Sequence, residues 1–250
     1  MAQVELSVVV PAFNEGNSIE SALTSLDDVF KREKRSYEIV VIDDGSRDNT
    51  LLKALDYAQK NGHVRVLSYD KNNGKGYAVK KGFMNAVGKV VIFADSDLEI
   101  KLDAVSKYIE ELSRSDIVIA SKWHPDSHVN ISIQRRILSH CFNVLVKIMI
   151  GVNIRDTQAG LKAIRKSSLE NIFPWLTIKR FAFDVELLAF ANLHGLRIVE
   201  MPVELRLNTP PKAKEILEML VDLLRITYRV RILGMRKEPS AYFNHGGAQE

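Results

Sequence analysis

Asp95, Asp97 and Glu99 alternate with Ser96 and Leu98 directly after the apolar run Val90–Ala94. On an extended or turning segment this spacing brings three carboxylates to one side. Like charges so close repel unless a cation sits among them. Oxygen-only ligands with no histidine near in sequence suit Mn²⁺ or Mg²⁺, ions that commonly also hold substrate phosphates. A nucleotide diphosphate bridged by the metal is the natural completion. Three further runs add acids, amides, small residues and a lysine: Pro11-Ala12-Phe13-Asn14-Glu15, Asp43-Asp44-Gly45-Ser46 with Asp48, and Asn72-Asn73-Gly74-Lys75-Gly76. Any one of them could be ordinary turn chemistry. Four in succession, each at the end of an apolar run, are not explained that way.

Other nucleotide and catalytic patterns fail on spelling. The first loop holds only Gly16, not G-x-G-x-x-G, and Gly74-Lys75-Gly76 lacks the spacing and hydroxyl of a P-loop. His124 and His128 have an i, i+4 spacing, but no acid or third histidine accompanies them convincingly. No G-x-S-x-G elbow is present.

The elements that must carry these loops follow from hydrophobic periodicity. Leu6–Val10, Tyr37–Ile42, Val64–Ser68, Val90–Ala94 and Asp116–Ala120 read as strands rich in Val and Ile. Helical spacing occupies Ser18–Arg32, Thr50–Lys60, Gly76–Val87 and Asp103–Ser113. Asn17 with Glu20 resembles a capping box, and Asp48 can cap the helix that follows it. Near-continuous apolar strands alternating with helices predict an α/β fold: a mostly parallel sheet covered by helices on both faces. In such a sheet, ligands bind beyond the carboxyl ends of the strands, where all four runs lie.

After Ser121 the pattern changes. Ile131–Ile150 reads as one helix whose apolar stripe Ile133, Ile137, Cys141, Leu145 and Met149 is widened by Leu138, Phe142, Val146 and Ile148. Arg155–Arg165 reads as a loop entering a strand, Phe183–His194 as a helix, and Leu196–Glu200 and Pro202–Leu207 as extended pieces. Lys212–Leu233 is a long helix with Ile216, Leu220, Leu223, Leu224, Tyr228 and Ile232 on one side. With no repeat or linker, residues 1–237 are expected to form one domain, with 238–250 as a flexible tail.

Composition bounds the function. The 250 residues are 46% hydrophobic and 26% charged, which excludes a disordered or collagen-like chain. No apolar run reaches the roughly 18 residues of a membrane span, and the N-terminus lacks a signal peptide's pattern. One cysteine excludes an internal disulfide framework. The net charge of +4 is too small to argue nucleic-acid binding, and none is expected. That excess is concentrated: Arg206–Lys237 holds eight Lys/Arg against three Asp/Glu. A basic, apolar C-terminal segment suits an anionic lipid surface, which predicts a cytoplasmic protein lying peripherally on the cytoplasmic face of a membrane.

The four runs, together with Ala120-Ser121-Lys122, Arg135-Arg136 with Ser139, Asp156 through Lys162, and Phe181 through Leu188, resemble family 2 glycosyltransferases of the GT-A fold. Within that family they are similar to the dolichyl-phosphate hexose synthases. Asp156-Thr157-Gln158 and Phe183-Asp184-Val185-Glu186-Leu187 resemble the glucose branch somewhat more than the mannose branch. The resemblance implies that Pro11, Ala12, Asn14 and Glu15 hold base and ribose, with Asp44 on the nucleoside. Lys75, Asp95 and Ser96 would serve the nucleotide sugar, and Asp95, Asp97 and Glu99 the metal. Lys122, Arg135 and Ser139 match positions for an acceptor phosphate. Arg206 and Lys212 match a region that closes over the donor diphosphate, although Asn208-Thr209-Pro210-Pro211 departs from the usual Gly-x-Ser there. Glu99 and Lys122 are also departures, from a common Gln and a common Arg.

The implied reaction moves a hexose from UDP-glucose or GDP-mannose to a polyprenyl or dolichyl phosphate, with Asp97, Arg135 and Lys122 central and with inversion at the anomeric carbon. Helices 131–150 and 212–233 would then lie in the headgroup layer. Three other readings stay open: a glycan hydroxyl acceptor with Glu186 or Asp184 as base, a nucleotidyltransferase, and a catalytically silent nucleotide-binding module.

Overall fold

The computed structural model describes residues 4–96, 100, 102, 104–207 and 213–232, with Arg206, Leu207 and Ile232 described by their backbone alone. The expected Asp97, Glu99 and Lys212, the side chain of Arg206 and the expected tail lie outside the described residues.

Strands β1 (Leu6–Ala12) and β2 (Tyr37–Asp43) are buried along their whole length. Alternate residues serve different cores: Val8, Val10, Ile39 and Val41 face one, and Val9, Val40 and Ile42 the other. Both faces are therefore covered, the condition under which parallel strands read as unbroken apolar runs. The first core packs under helices α1 (Ile19–Arg32), α2 (Thr50–Lys60) and α4 (Val105–Glu111). The second packs under α3 (Lys75–Asn85), α5 (Ile133–Ile150), α6 (Lys166–Ile172), α7 (Phe183–Leu193) and α8 (Ala213–Thr227).

The remaining strands are β3 (Val64–Ser68), β4 (Val90–Phe93), β5 (Ile117–Ala120), β6 (His128–Ile131), β7 (Lys162–Arg165), β8 (Ile198–Met201) and β9 (Glu204–Leu207). The main sheet runs β3-β2-β1-β4-β7-β5-β8. All its pairs are parallel except those of β7, which lies antiparallel between β4 and β5. Strand order reverses between β1 and β4, and this switch point leaves a crevice at the carboxyl ends of those strands. A two-stranded ribbon, β6 with β9, stands apart from the sheet.

Three expectations are corrected. Ile131 ends strand β6, and α5 starts after it, with the Ser132 side chain accepting from the Arg135 N–H. The capping box does not form: Ser18 is the N-cap of α1, and its hydroxyl donates to Glu15 Oε2 at 2.5 Å. Asp48 does serve the start of α2, accepting from the Thr50 N–H at 3.0 Å. On α5 most of the expected apolar stripe lies on the outer face. Ile133, Ile137, Cys141, Leu145 and Ile148 are exposed, while Phe142, Val146 and Ile150 pack inward. The chain also continues α8 as a π-helical turn over Tyr228–Ile232.

Candidate active site

The loop after β1 is laced to the loop after β2. Asp48 Oδ2 accepts from the Gly16 N–H at 2.9 Å, and Thr50 Oγ1 accepts from the Glu15 N–H at 2.7 Å. Asn14 adopts φ +57°, which asparagine tolerates better than most residues. Its N–H donates to Ser46 Oγ and its Oδ1 accepts from the Arg47 N–H, each at 2.9 Å. Asp44 is buried, and its two oxygens accept from the N–H groups of Asn73 and Gly74. It therefore shapes the loop that ends in Lys75. Its neighbour Asp43 has a buried Oδ1 with no hydrogen-bond donor among the described residues.

Lys75 opens α3, which approaches β1 closely because residue 82 is glycine: a Cβ there would stand 2.2 Å from Val9 Cγ1. The Lys75 ammonium reaches Asp95 Oδ1 at 2.7 Å and lies 5.2 Å from the centre of the Phe93 ring. From the opposite side, the turn before β7 presses on the same carboxylate. A Cβ on Gly160 would lie 2.1 Å from Asp95 Oδ2.

Asp156 is fully buried and organises the loops around Lys122 and Gln158. It accepts from the Lys122 N–H at 2.8 Å, from the Lys122 ammonium at 3.1 Å and from the Gln158 N–H at 3.1 Å. Glu200 takes the N–H groups of Arg155 and Asp156, and Asn143 of α5 donates to the Arg155 carbonyl at 2.9 Å.

These elements enclose a cavity of about 570 Å³. Glu15, Lys75, Asp95, Lys122, Arg135 and Ser139, drawn from separate parts of the sequence, all line it. Pro11 and Ala12 are built into β1, Asp44 and Ser96 are buried outside the cavity, and Asn14 sits on an exposed turn. Ile131, Leu138 and Phe142 with Ile216 and Met219 give the cavity an apolar wall between α5 and α8.

Gln158, Gly160, Phe181 and Asp184 also line the cavity, although only their motifs, not their roles, were legible in the sequence. The acids proposed as bases for a hydroxyl acceptor are both engaged in ion pairs. Glu186 is fully buried, accepts from the N–H groups of Thr177 and Ile178 at 2.8 Å each, and pairs with Arg229. Burial pushes its carboxyl above the ordinary range, and those three partners pull the other way. Asp184 pairs with Lys162. His128 stands on strand β6, so the His124/His128 spacing makes no helical pair, and no cluster of three metal-ligating side chains occurs among the described residues.

Acids and cations thus gather at the switch point of this mixed α/β fold. Solved structures share the fold. Glucosyl-3-phosphoglycerate synthase from Mycobacterium tuberculosis, in complex with Mn²⁺, UDP and glucosyl-3-phosphoglycerate, aligns with a TM-score of 0.66 and 19% identity. The match covers 91% of this chain and 80% of that one. The fold is the GT-A type expected from the sequence.

The chain belongs to glycosyl transferase family 2, whose model matches residues 7–173. A dolichyl-phosphate beta-glucosyltransferase from Dictyostelium discoideum is 34% identical over 94% of this chain and 77% of its own length. Its human counterpart by name is 36% identical over 80% of this chain and 66% of its own length.

Proposed function

We propose that the chain transfers glucose from UDP-glucose to dolichyl phosphate at a membrane surface. One observation carries the reading. A single cavity joins an acid-and-lysine end, Asp95 with Lys75, to a cationic end, Lys122 and Arg135 with Ser139, beside an apolar wall. Such a space suits two anions, a departing diphosphate and an arriving lipid phosphate. The names of the relatives and the UDP-glucose complexes of the structural neighbour support this donor and acceptor.

The chemistry needs orientation more than a base. A phosphate monoester, with a second pKa of about 6, is largely dianionic at neutral pH and attacks without losing a proton to the protein. Its oxygen forms the new bond to the anomeric carbon as the bond to UDP breaks, so an α-linked donor gives a β-linked product. Lys122 and Arg135 hold the attacking phosphate against the repulsion of the diphosphate, and preorganised charge of this kind costs no reorganisation during reaction. Glu186 is committed to Arg229 and is not among the cavity-lining residues, which weighs against it as the base for a hydroxyl acceptor. At the other end, the unpartnered Asp43 Oδ1 suits an N–H of the base.

The donor set also fits Mn²⁺ or Mg²⁺. Asp95 presents hard oxygen ligands at the cavity rim and already draws a cation, the Lys75 ammonium. Asp95 would hold the ion with Asp97 and Glu99. When bound, the metal neutralises charge on the leaving diphosphate as a Lewis acid.

The exposed apolar side chains of α5 and α8 flank the cavity, and no helix among the described residues is long and apolar enough to cross a membrane. Attachment by these faces would present the cavity to the lipid phosphate.

The test supplies Mn²⁺, dolichyl phosphate and either UDP-glucose or GDP-mannose, and follows sugar into the organic phase. Glucose from UDP-glucose is expected there, and chelation should stop the transfer. Arg135→Gln should lower transfer about 100-fold, chiefly by weakening use of dolichyl phosphate. Full activity of that variant, or glucose appearing only on a water-soluble glycan, would overturn the reading.

A further inference from the structure

The cavity floor holds a charge pair for which the transfer scheme above has no role. Lys162 on β7 is completely buried. Its ammonium donates to the Ala159 carbonyl at 2.6 Å and stands 2.8 Å from Asp184 Oδ1. Asp184, in the first turn of α7, is only 5% exposed, yet it lines the cavity together with Lys75, Asp95 and Gly160. Packing does not explain the pair. α7 is buried from Phe183 to Ala191 and apolar there except for Asp184 and Glu186, and two apolar side chains of similar volume would fill the space of the pair without desolvating charge.

The Lys162 ammonium meets Asp184 at Oδ1, at 2.8 Å. A carboxylate has acceptor sites for several donors, so where Asp184 lines the cavity it can also take a donor that enters from there. The position identifies that donor's chemistry. A hexose in transit must lie between Asp95, at the diphosphate end, and Lys122 and Arg135, at the phosphate end. Near Asp95 the β7 approach presents Gly160, which brings backbone rather than side chain to that space. Asp184 is the buried carboxylate bordering it, and a carboxylate paired with an ammonium acts as an acceptor. Lys162 is further tied to the donor side. Its ammonium lies 5.7 Å from the Phe93 ring centre, and that of Lys75 lies 5.2 Å from the same ring.

We propose that Asp184, held in place by Lys162, accepts a hydrogen bond from a ring hydroxyl of the transferred hexose and so selects the sugar. The inference rests on the transfer reading above and adds to it a specificity residue, Asp184, and a positioning residue, Lys162. A site built around a buried acceptor penalises a sugar that lacks the matching hydroxyl, since the acceptor is then left unpaired.

The experiment compares wild type, Asp184→Asn and Asp184→Ala in two measurements: UDP affinity by titration, and transfer from UDP-glucose and from each UDP-monodeoxyglucose. UDP affinity should be unchanged in both variants, which also reports that they fold. If Asp184→Ala fails to bind UDP, the near-isosteric Asp184→Asn carries the comparison. Transfer from UDP-glucose should fall about 10–100-fold, the range of a hydrogen bond to a charged group. One monodeoxy donor, poor on wild type, should be used equally well by wild type and variant. Lys162→Met should reproduce that donor pattern, and Lys162→Arg should restore part of the discrimination. Equal losses on every donor, or wild-type discrimination among them, would overturn the hydroxyl contact while leaving the transferase reading standing. A wild type that uses no hexose donor would defeat the transferase reading and this one with it.

Discussion

Gly160 shows how little room the site leaves at the level of one residue. The hydrogen in place of its side chain lets the turn before β7 touch Asp95 Oδ2, while Lys75 holds Oδ1 from the other side. Gly160→Ala must push the carboxylate or the turn aside by more than an ångström. A displacement of that size at a reacting group costs about 100-fold in rate. The expected outcome is a kcat lowered by that order with the melting temperature nearly unchanged, read from steady-state kinetics and calorimetry. Wild-type kcat would show that Asp95 tolerates the shift. Much of this was legible in the sequence, because Asp95, Lys75, Lys122, Arg135 and Ser139 are polar residues in recognisable runs. The pairing of Lys162 with Asp184 was not. A buried ion pair leaves no local pattern, since its members lie on β7 and α7 and meet only through the tertiary fold. Asp43 and Asp44 were hard to separate for a similar reason. Which of two adjacent acids is occupied by Asn73 and Gly74 depends on the fold of a loop thirty residues away.

Among the elements, α5 and α8 have a division of labour that periodicity alone could not resolve. Each carries more apolar surface than one packing face requires. Phe142, Val146 and Ile150 pack inward from α5, and Leu223 and Ile226 from α8. Ile133 is 78% exposed and Leu217 63%, and Ile137, Ile148 and Leu224 are similarly open. An Arg231 guanidinium donating to the Ile148 carbonyl at 2.8 Å ties the π-helical turn after α8 to the end of α5. If these outer faces enter a headgroup layer, Ile137→Glu combined with Leu224→Glu should reduce co-sedimentation with anionic vesicles at least tenfold. Transfer to a short, water-soluble polyprenyl phosphate should stay near wild type. Unchanged vesicle binding would remove the membrane role from these faces. Elsewhere, strand direction escaped the sequence. Lys162–Arg165 reads as a strand, but four residues do not say that it runs against both neighbours. β6 was hidden because its last residue, Ile131, continues the apolar spacing of α5.

On the scale of the molecule, the C-terminal helix is fastened to the centre by one cation. Arg229 reaches inward to Glu186, donates to Thr177 Oγ1 and to the Trp175 carbonyl at 2.6 Å each, and lies 5.1 Å from the Phe190 ring centre. Glu186 is fully buried, so removing Arg229 leaves its carboxylate without a counter-charge. Arg229→Met should lower stability by about 3–5 kcal/mol, and pairing it with Glu186→Gln should recover part of that loss. Urea unfolding of the two singles and the double closes the cycle. Additive losses would mean that the two side chains contribute independently. Because α8 also supplies Ile216 and Met219 to the cavity wall, the same contact keeps that wall in shape.

The placing of β7 constrains how this chain can be made. β5 is complete by Ala120, yet its two partners in the sheet are β7 and β8, both of which come later in sequence. During synthesis, β1 to β4 can assemble as they emerge, while β5 waits some forty residues for its first neighbour. Until then the growing chain carries an unpaired apolar strand and an open edge on β4, the features that invite mispairing between nascent chains. The gap closes only as Lys162–Arg165 slots between them, so the join of β4 to β5 and the turn that presses Gly160 onto Asp95 are made in one event. A nascent chain therefore cannot expose a finished catalytic rim before that gap in its sheet has closed.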